Sequence, residues 1–366
     1  MKIVTVVGAR PQFIKAALVT KMMKKSGINE ILVNTGQHYD YNMSKKMFED
    51  LGMDDPQYDL GIGSMEQVEQ VAAMMTKLAP IAAKEKPDMI LVYGDTNSTL
   101  VGALTACKMK IRLAHIEAGL RSFDRTMQEE INRILTDSVS SLLFCPTTTA
   151  VDNLRNEGVT GGVHNVGDIM YELAVKMSDI ASKKSGILKK LRVAPGKYVL
   201  ATAHRSANTD SPSRLASIVR GLSGIKDNVV FSLHPRTRKM LEKFALIKKL
   251  EKKGNVKIIE PVGYLDMINL EKNARKIITD SGGVQKEAYF FKVPCITLRD
   301  RTEWTETLGN GWNCLVNVDS RRIITEASSG LKPGRHSKHY GDGDTSSKIV
   351  KILKEGVKKN EKKGKR

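Results

Sequence analysis

Short runs rich in valine and isoleucine alternate with amphipathic stretches along almost the whole chain, and this alternation constrains the fold most strongly. The first series of predicted strands is Ile3–Val7, Glu30–Asn34, Met89–Tyr93, Leu113–Ile116, Leu142–Phe144 and Val163–Val166. The second series is Tyr198–Thr202, Val229–Leu233, Val256–Ile259, Lys276–Thr279 and Cys295–Leu298. These runs are apolar on both faces, which is typical of parallel strands covered by helices. The sequence therefore predicts an α/β protein with two Rossmann-like, doubly wound domains.

A lysine-rich helical stretch from Leu173 to Lys197 separates the two series of strands. A chain of 366 residues also exceeds the usual size of a single hydrophobic core. We therefore expect an N-terminal domain over residues 1–167 and a C-terminal domain over residues 168–344. The C-terminal helical segment, residues 345–366, is expected to pack back on the first domain.

Composition excludes several classes of protein. The chain carries a formal charge of +19, but aromatic residues make up only 5% and no basic stripe is interleaved with them. Nucleic-acid binding is therefore not expected, and the positive charge instead favours a small anionic substrate. No apolar run approaches the roughly 20 residues of a membrane span, and the N-terminus resembles a first strand rather than a secretory signal.

The four cysteines are far apart in the sequence and lie in apolar surroundings, namely Cys107, Cys145, Cys295 and Cys314. We interpret them as reduced thiols in the core of a cytoplasmic protein. Their spacing matches no metal site, so no metal is expected. Neither the nicotinamide fingerprint nor the phosphate-binding P-loop occurs in the sequence.

Ligands of doubly wound sheets bind at the carboxyl ends of the strands, so the residues that follow each strand are candidates for a site. Arg10 and Lys15 follow the first strand and either face an anion or serve as surface cations. Asp95 follows Met89–Tyr93 and acts either as a general base or as a helix cap.

A histidine and a glutamate, His115 and Glu117, stand at alternate positions where another strand ends, so we expect their side chains on one face. Ionisable groups at such a position favour function, although Arg121 is also placed to neutralise Glu117. The adjacent Glu129 and Glu130 begin an amphipathic helix, and periodicity alone predicts that both lie on the surface.

The second series of strands ends in groups suited to phosphate. His204 follows Tyr198–Thr202, and His234 and Arg236 follow Val229–Leu233. After Lys276–Thr279 comes a turn that opens a helix and offers free backbone N–H groups to a diphosphate. The residues of this turn are Ser281, Gly282 and Gly283. Glu287, in the helix that the turn opens, is placed to accept hydrogen bonds from ribose hydroxyls. The alternative is a capped helix with permissive glycines.

Taken in order, these motifs resemble the non-hydrolysing UDP-N-acetylglucosamine 2-epimerase family. The resemblance runs from Gly8 to about Ile349. It is carried by GARPQFIK, TGQH, YGDTNST, HIEAGLRS, EEINR, HR at 204–205, HPRT, VGYL, TDSGGVQKEA, RDRTEWTE and YGDG. The family implies a glycosyltransferase-B architecture with the active site in the cleft between the domains, a homodimer, and a reaction without cofactor or metal.

The resemblance also implies roles for single residues. Asp95, Glu117 and Glu129 match the catalytic carboxylates of the family, and His204 matches its catalytic histidine. The residues that match substrate-binding positions are Arg10, Lys15, His234, Arg236, Ser281, Gly282, Gly283, Glu287 and Arg299. Which carboxylate acts as acid and which as base stays open.

Departures from the common family pattern point to the substrate. Gln12 and Ala207 stand where the family usually has acids, and Trp304 replaces an arginine. With these features the chain resembles the subfamily that converts UDP-2,3-diacetamido-2,3-dideoxy-glucuronate to its manno isomer. The physical reason is that fewer acids near the sugar would reduce repulsion of the extra carboxylate of this substrate. UDP-N-acetylglucosamine is the alternative substrate, and a hydrolysing relative and a glycosyltransferase of the same fold are alternative activities.

Overall fold

The computed structural model describes residues 1–37, 53–63, 65–330 and 333–363, and the side chains of residues 10 and 357–363 lie outside this description. The chain divides into two compact units. Unit 1 contains Met1–Leu173 and Lys338–Arg366, and unit 2 contains Ala174–Ser337. Each unit has a parallel sheet with helices on both faces, as the alternating sequence pattern predicts.

The described strands of unit 1 form one parallel sheet in the order β3-β2-β1-β4-β5-β6-β7. Their bounds are β1 Lys2–Val7, β2 Asn29–Asn34, β3 Tyr58–Asp59, β4 Met89–Tyr93, β5 Arg112–Ile116, β6 Leu142–Cys145 and β7 Val163–Asn165. The helices assigned to this part of the chain are α1 Arg10–Lys25, α2 Gln67–Glu85, α3 Asn97–Lys108, α4 Gln128–Val139, α5 Thr148–Asn156, α6 Ile169–Lys184 and α15 Thr345–Lys363.

Alternate residues of the unit 1 strands pack on opposite faces of the sheet. Ile3 and Val7 of β1 contact a core that includes α1 and Leu353 of α15. Val4 and Val6 of the same strand face a second core, which includes α2 and α3. The C-terminal helix α15 thus belongs to unit 1, in which it packs on α1.

The described strands of unit 2 form a parallel sheet in the order β10-β9-β8-β11-β12-β13. The strand bounds are β8 Tyr198–Thr202, β9 Asn228–Ser232, β10 Val256–Ile259, β11 Lys276–Thr279, β12 Cys295–Thr297 and β13 Asn313–Leu315. The helices are α7 Ile187–Leu191, α8 Ser206–Thr209, α9 Pro212–Gly224, α10 Pro235–Lys243, α11 Ile247–Glu251, α12 Tyr264–Asn273, α13 Gly282–Phe290, a 3-10 helix Thr305–Gly311 and α14 Ser320–Ser328.

The boundary between the units falls after Leu173, inside α6, rather than after Gly167. The reason is a buried polar contact near the start of α6. Glu172 is fully buried and accepts hydrogen bonds from the backbone N–H and the hydroxyl of Ser346, both at 2.7 Å. A buried carboxylate satisfied in this way ties the start of α6 to the start of α15.

Arg10, Asp95, His204 and Ser281 follow the strands that flank the switch point of each sheet, where ligands of doubly wound folds bind. In unit 1 the order in which successive strands are added to the sheet reverses between β1 and β4, and in unit 2 it reverses between β8 and β11. Among the described residues, no helix is long and apolar enough to cross a membrane.

Not all the cysteines are core residues. Cys145 and Cys295 are buried, but Cys107 is exposed and Cys314 is only half-buried, and all four are free thiols. The expectation of four core thiols was therefore wrong for these two residues. Cys107 lies in the last turn of α3, whose outward face reaches solvent even though the helix is mostly apolar.

Candidate active site

An ion pair between Lys15 and Glu117 lies at the switch point of unit 1. Lys15 projects from α1 and Glu117 follows β5, and both side chains are largely buried, at 13% and 6% exposure. Gly94, after β4, lies against this pair. A Cβ atom at Gly94 would stand 3.4 Å from Glu117 Oε2 and 3.6 Å from Lys15 Nζ. The loops after three neighbouring strands therefore meet at one ion pair.

Glu117 has an unusual backbone conformation. Its φ is +70°, in the left-handed region that residues with a side chain rarely occupy. The conformation costs on the order of 1 kcal/mol and is held by bonds from the N–H groups of Glu117 and Ala118 to the carbonyl of Phe144. Strand β5 ends at Ile116, so Glu117 does not continue the strand alternation expected from His115.

Asp95 takes part in a chain of charges that links two loops to α4. Arg133 of α4 donates to Asp95 Oδ2 through Nε at 2.9 Å and Nη2 at 2.8 Å, and it pairs with Glu130 at 2.5 Å. Asp95 remains about one-third exposed, so one side of the carboxylate is accessible. Arg133 thus holds Asp95 in place while leaving it open to a ligand.

The two glutamates at the start of α4 have different environments. Glu130 is buried and accepts the backbone N–H groups of Ser122 and Phe123, both at 2.9 Å. Burial alone would raise the pKa of Glu130, but these two bonds and Arg133 lower it below its usual value. The expectation that both glutamates lie on the surface was wrong for Glu130, because the preceding loop folds over it. Glu129 is exposed.

His115 and Arg121 belong to a buried charge network rather than to the ligand face. His115 Nδ1 lies 2.7 Å from Asp137 Oδ1, and its Nε2 lies 2.7 Å from the carbonyl oxygen of Gly94. Arg121 donates to the same carboxylate at 2.8 Å and also pairs with Glu157. Arg121 therefore does not neutralise Glu117, which was one expectation from the sequence.

Asp137 is the centre of that network and was not found from the sequence. Burial by itself would raise the pKa of Asp137, but the charges and hydrogen bonds of His115 and Arg121 lower it below the ordinary value. Both ring nitrogens of His115 face oxygen atoms, so the ring bridges Asp137 and the loop after β4. The network fixes the loop that carries Glu117.

Gln12 clamps the loops at this edge. Its Oε1 accepts the N–H groups of Gly8 at 2.8 Å and Ala9 at 3.1 Å, and its Nε2 donates to the carbonyl of Tyr93 at 2.7 Å. The side chain of Gln12 is buried, so its effect on the site is to hold the loops after β1 and β4 in position without adding a charge. Arg10 begins α1, and its side chain lies outside the described part of the structure.

In unit 2 the loop after β8 is held by the carboxylate of Asp280, which follows β11. Asp280 is fully buried and accepts the backbone N–H groups of His204 and Arg205 at 3.0 Å. It also accepts the side-chain amide of Asn208 at 3.0 Å. The ring of His204 lies above this carboxylate, with Nδ1 at 3.8 Å from Oδ1.

His204 is the partly exposed member of this cluster. Burial lowers the pKa of its imidazole, Asp280 opposes that shift, and Arg205 and His234 reinforce it, so the net direction is downward. The ring of His234 lies 5.7 Å away, centroid to centroid. The structure thus brings these two predicted histidines together at the carboxyl edge of the sheet.

His234 and Arg236 also have structural contacts. His234 caps α10, its Nδ1 accepting the backbone N–H of Arg236 at 3.2 Å. Arg236 is exposed and pairs with Asp210 at 2.5 Å. Both side chains reach solvent, so they are accessible to a ligand.

The turn after β11 begins α13 and lies against the side chain of Glu303. Ser281 caps α13, and a Cβ atom at Gly282 would stand 2.5 Å from Glu303 Oε1, so a larger residue there would displace the Glu303 carboxylate. Gly283 is exposed, and an added Cβ would approach only Ser281, at 3.8 Å. Glu303 in turn pairs with Arg299 at 2.9 Å, which places this predicted cation beside the turn.

Glu287 lies further along α13 and accepts a hydrogen bond from Tyr264 at 3.5 Å. Near it is Glu271 of α12, a fully buried carboxyl whose two oxygens have no hydrogen-bond partner among the residues that the structure describes. Burial, and then the charge of Glu287, raise the pKa of Glu271 well above its usual value. No group of three or more His, Cys, Asp or Glu side chains suited to a metal ion occurs among the described residues.

Known proteins resemble this chain over nearly its full length. A family model described as UDP-N-acetylglucosamine 2-epimerase matches residues 20–354. A UDP-N-acetylglucosamine 2-epimerase homolog of Methanococcus maripaludis is 51% identical over 97% of this chain and 99% of its own. The UDP-2,3-diacetamido-2,3-dideoxy-D-glucuronate 2-epimerase of Pseudomonas aeruginosa is 48% identical over 96% and 99%.

Solved structures share the fold as well. The crystal structure of Methanocaldococcus jannaschii UDP-GlcNAc 2-epimerase in complex with UDP-GlcNAc and UDP has a TM-score of 0.85 and 43% sequence identity. The match covers 97% of this chain and 99% of the other. The expected architecture, two parallel-sheet α/β domains of the glycosyltransferase-B type, is confirmed.

Proposed function

This chain belongs to the UDP-N-acetylglucosamine 2-epimerase family, a family of isomerases, and on that premise we propose that its substrate is UDP-2,3-diacetamido-2,3-dideoxy-glucuronate. The proposed reaction inverts C2 without hydrolysis and gives the manno isomer. UDP-N-acetylglucosamine is the second candidate, supported by the relative from M. jannaschii that was solved with that compound.

The observation that carries the substrate proposal is the uncharged, exposed Ala207. Ala207 lies in α8, three positions after His204, at a position where the family that this chain resembles usually has an acid. A substrate with a carboxylate at C6 would be repelled by an acid at this position, and alanine removes that repulsion. Gln12, the other neutral replacement, is buried and engaged with the loops, so it is a poorer position to test.

The proposed chemistry begins with elimination. A carboxylate takes the C2 proton, the electrons of that C–H bond form the C1–C2 double bond, and UDP leaves with the electrons of the C1–O bond. The bound glycal then receives UDP again at C1 while a proton is delivered to the opposite face of C2. General acid and base groups and cations near the diphosphate are what this sequence of steps needs.

We assign these roles to the described groups at the carboxyl edges of the two sheets. The candidates for acid and base are Asp95, Glu117 and Glu129, of which Glu117 is paired with Lys15 and Asp95 with Arg133. His204 is the proposed catalytic group of unit 2. Proposed contacts of the UDP-sugar are Arg10, Lys15, His234, Arg236, Ser281, Gly282, Gly283, Glu287 and Arg299.

The test compares Ala207→Glu with Ala207→Gln, which has the same length without the charge. A carboxylate brought near another costs about 1 kcal/mol in water at contact distance, which is about fivefold in kcat/KM. We expect Ala207→Glu to lose this factor for the glucuronate substrate but not for UDP-N-acetylglucosamine, and Ala207→Gln to lose it for neither. Equal losses for both substrates, or a wild-type preference for UDP-N-acetylglucosamine, would reject the proposed substrate.

We also propose that the protein acts as a homodimer, as the resemblance implies. Light scattering on a gel-filtration peak tests this, since a dimer has twice the chain mass of 40.5 kDa. A peak at the mass of one chain at the concentration of the assay would contradict it.

A further inference from the structure

Among the described residues, His204 is the one group in contact with the buried carboxylate of Asp280 that can carry a compensating charge. Its three hydrogen-bond donors are the backbone N–H groups of His204 and Arg205 and the amide of Asn208, and all of them are neutral. Among the described contacts of Asp280, the ring of His204 is the only ionisable partner. A fully buried carboxylate therefore faces one side of that ring.

The geometry fixes which ring nitrogen faces Asp280. Nδ1 of His204 stands 3.8 Å from Oδ1, longer than a hydrogen bond, so the contact in this structure is electrostatic. The same carboxylate holds the backbone of His204, so the ring and its loop are positioned by one group.

We propose that Asp280 is a positioning residue for His204, keeping Nδ1 protonated towards the carboxylate and leaving Nε2 to exchange a proton with the substrate. The proposal rests on the proposed function in one respect, the catalytic role of His204. It goes beyond that function because it assigns the tautomer of the histidine and the residue that sets it.

The surroundings of the ring set the sign of the effect. In the described part of the chain, the other charged or titratable groups that act on His204 are Arg205 and His234. Both disfavour the imidazolium, as does burial, so among these groups Asp280 alone favours it. Loss of the charge on Asp280 should therefore lower the pKa of His204. A residue that merely supports the loop would reduce activity without moving that pKa.

The tautomer is measured on the wild-type protein by long-range proton–nitrogen NMR with labelled histidine. The chain has seven histidines, and the signal that disappears in His204→Gln identifies the ring. In the neutral form we expect the nitrogen shifts of an Nδ1–H tautomer, the opposite of the preference of free histidine in water. An Nε2–H tautomer, or shifts averaged between the two, would overturn the proposal.

The second test is the pH profile of kcat/KM. The limb that is present in the wild type and missing in His204→Gln belongs to His204. Asp280→Asn should move this limb to lower pH, whichever protonation state the reaction needs. The control Asn208→Ala removes one hydrogen bond from Asp280 but no charge, so it should not move the limb downward. The same limb in Asp280→Asn as in the wild type would reject the positioning role.

The two proposals fail in distinguishable ways. If the wild-type enzyme does not exchange the C2 proton of a UDP-sugar with solvent, the proposed function is wrong. If it does exchange that proton but His204 shows an Nε2–H tautomer, only the role of Asp280 is wrong. The tautomer measurement needs no substrate and no variant of Asp280, so a folding defect in Asp280→Asn cannot obscure it.

Discussion

The buried Glu271 should make the stability of unit 2 depend on pH, and Glu271→Gln should remove that dependence. Within the described part of the chain, neither carboxyl oxygen of Glu271 has a hydrogen-bond partner, and the side chain is inaccessible to solvent. The titratable groups that act on it or are affected by it are Glu287 of α13, Tyr264 of α12, Tyr198 of β8 and Cys295 of β12. None of them carries a positive charge, so the native protein holds Glu271 as a neutral acid.

The sign follows from proton linkage. In the unfolded chain Glu271 ionises near pH 4.3, whereas burial and then Glu287 raise its pKa well above that in the native protein. Above pH 4.3 the native state binds the proton that the unfolded state has lost, so the free energy of unfolding falls as pH rises. The slope is about 1.4 kcal/mol per pH unit, and it ends once the native carboxyl ionises.

The assay is urea unfolding between pH 5 and pH 8, followed by tryptophan fluorescence. The two tryptophans, Trp304 and Trp312, both lie in unit 2, so the signal reports the unit that contains Glu271. As pH rises, the difference in unfolding free energy between Glu271→Gln and the wild type should change in favour of the variant, by up to about 1.4 kcal/mol per pH unit while the native carboxyl stays protonated. The constant cost of burying the amide does not affect this slope.

The matched control is Glu242→Gln, which makes the same chemical change at an exposed position of unit 2. Its difference from the wild type should stay constant across the pH range. If the difference for Glu271→Gln is equally constant, the native protein does not hold the proton on Glu271, and the reasoning from its burial fails.

Two further predictions concern unit 1. Asp137→Asn should lower the free energy of unfolding by about 3–5 kcal/mol in urea titrations, because it leaves His115 and Arg121 buried without their shared carboxylate; Asp152→Asn, which breaks an exposed pair with Arg155, should cost less than about 1 kcal/mol. Glu117→Gln and Asp95→Asn should each reduce epimerisation about 100-fold or more if each carboxylate transfers a proton, with turnover measured at a temperature at which the circular dichroism of the variant matches that of the wild type. Near-normal turnover in the Glu117 or Asp95 variant would remove that residue from the mechanism. Equal losses of unfolding free energy in Asp137→Asn and Asp152→Asn would refute the buried-network argument.

The strands that the sequence predicted are those with long apolar runs, such as β1 and β4, which are buried on both faces. Two strands were missed, Tyr58–Asp59 and Asn313–Leu315. They contain only two and three residues, and their polar side chains interrupt the apolar pattern. Their pairing depends on the neighbouring strand, which a local pattern does not describe.

Candidate site residues could be predicted where they follow a strand or belong to a recognisable motif. The residues with which they form ion pairs and hydrogen bonds could not be predicted. Lys15 and Glu117 are separated by 102 positions, and His115 and Asp137 by 22, so no local spacing indicates either contact. Glu130 was expected on the surface because the periodicity of α4 does not reveal the loop that covers it. Buried ion pairs of this kind are decided by tertiary structure.

The most direct test of the central claim is NMR of the reaction in deuterated water, with UDP-2,3-diacetamido-2,3-dideoxy-glucuronate and UDP-N-acetylglucosamine as separate substrates. We predict conversion to the manno isomer with deuterium at C2, no accumulation of free UDP in proportion to product, and faster turnover of the glucuronate. Product without deuterium at C2, or free UDP formed in step with product, would contradict a non-hydrolysing 2-epimerase.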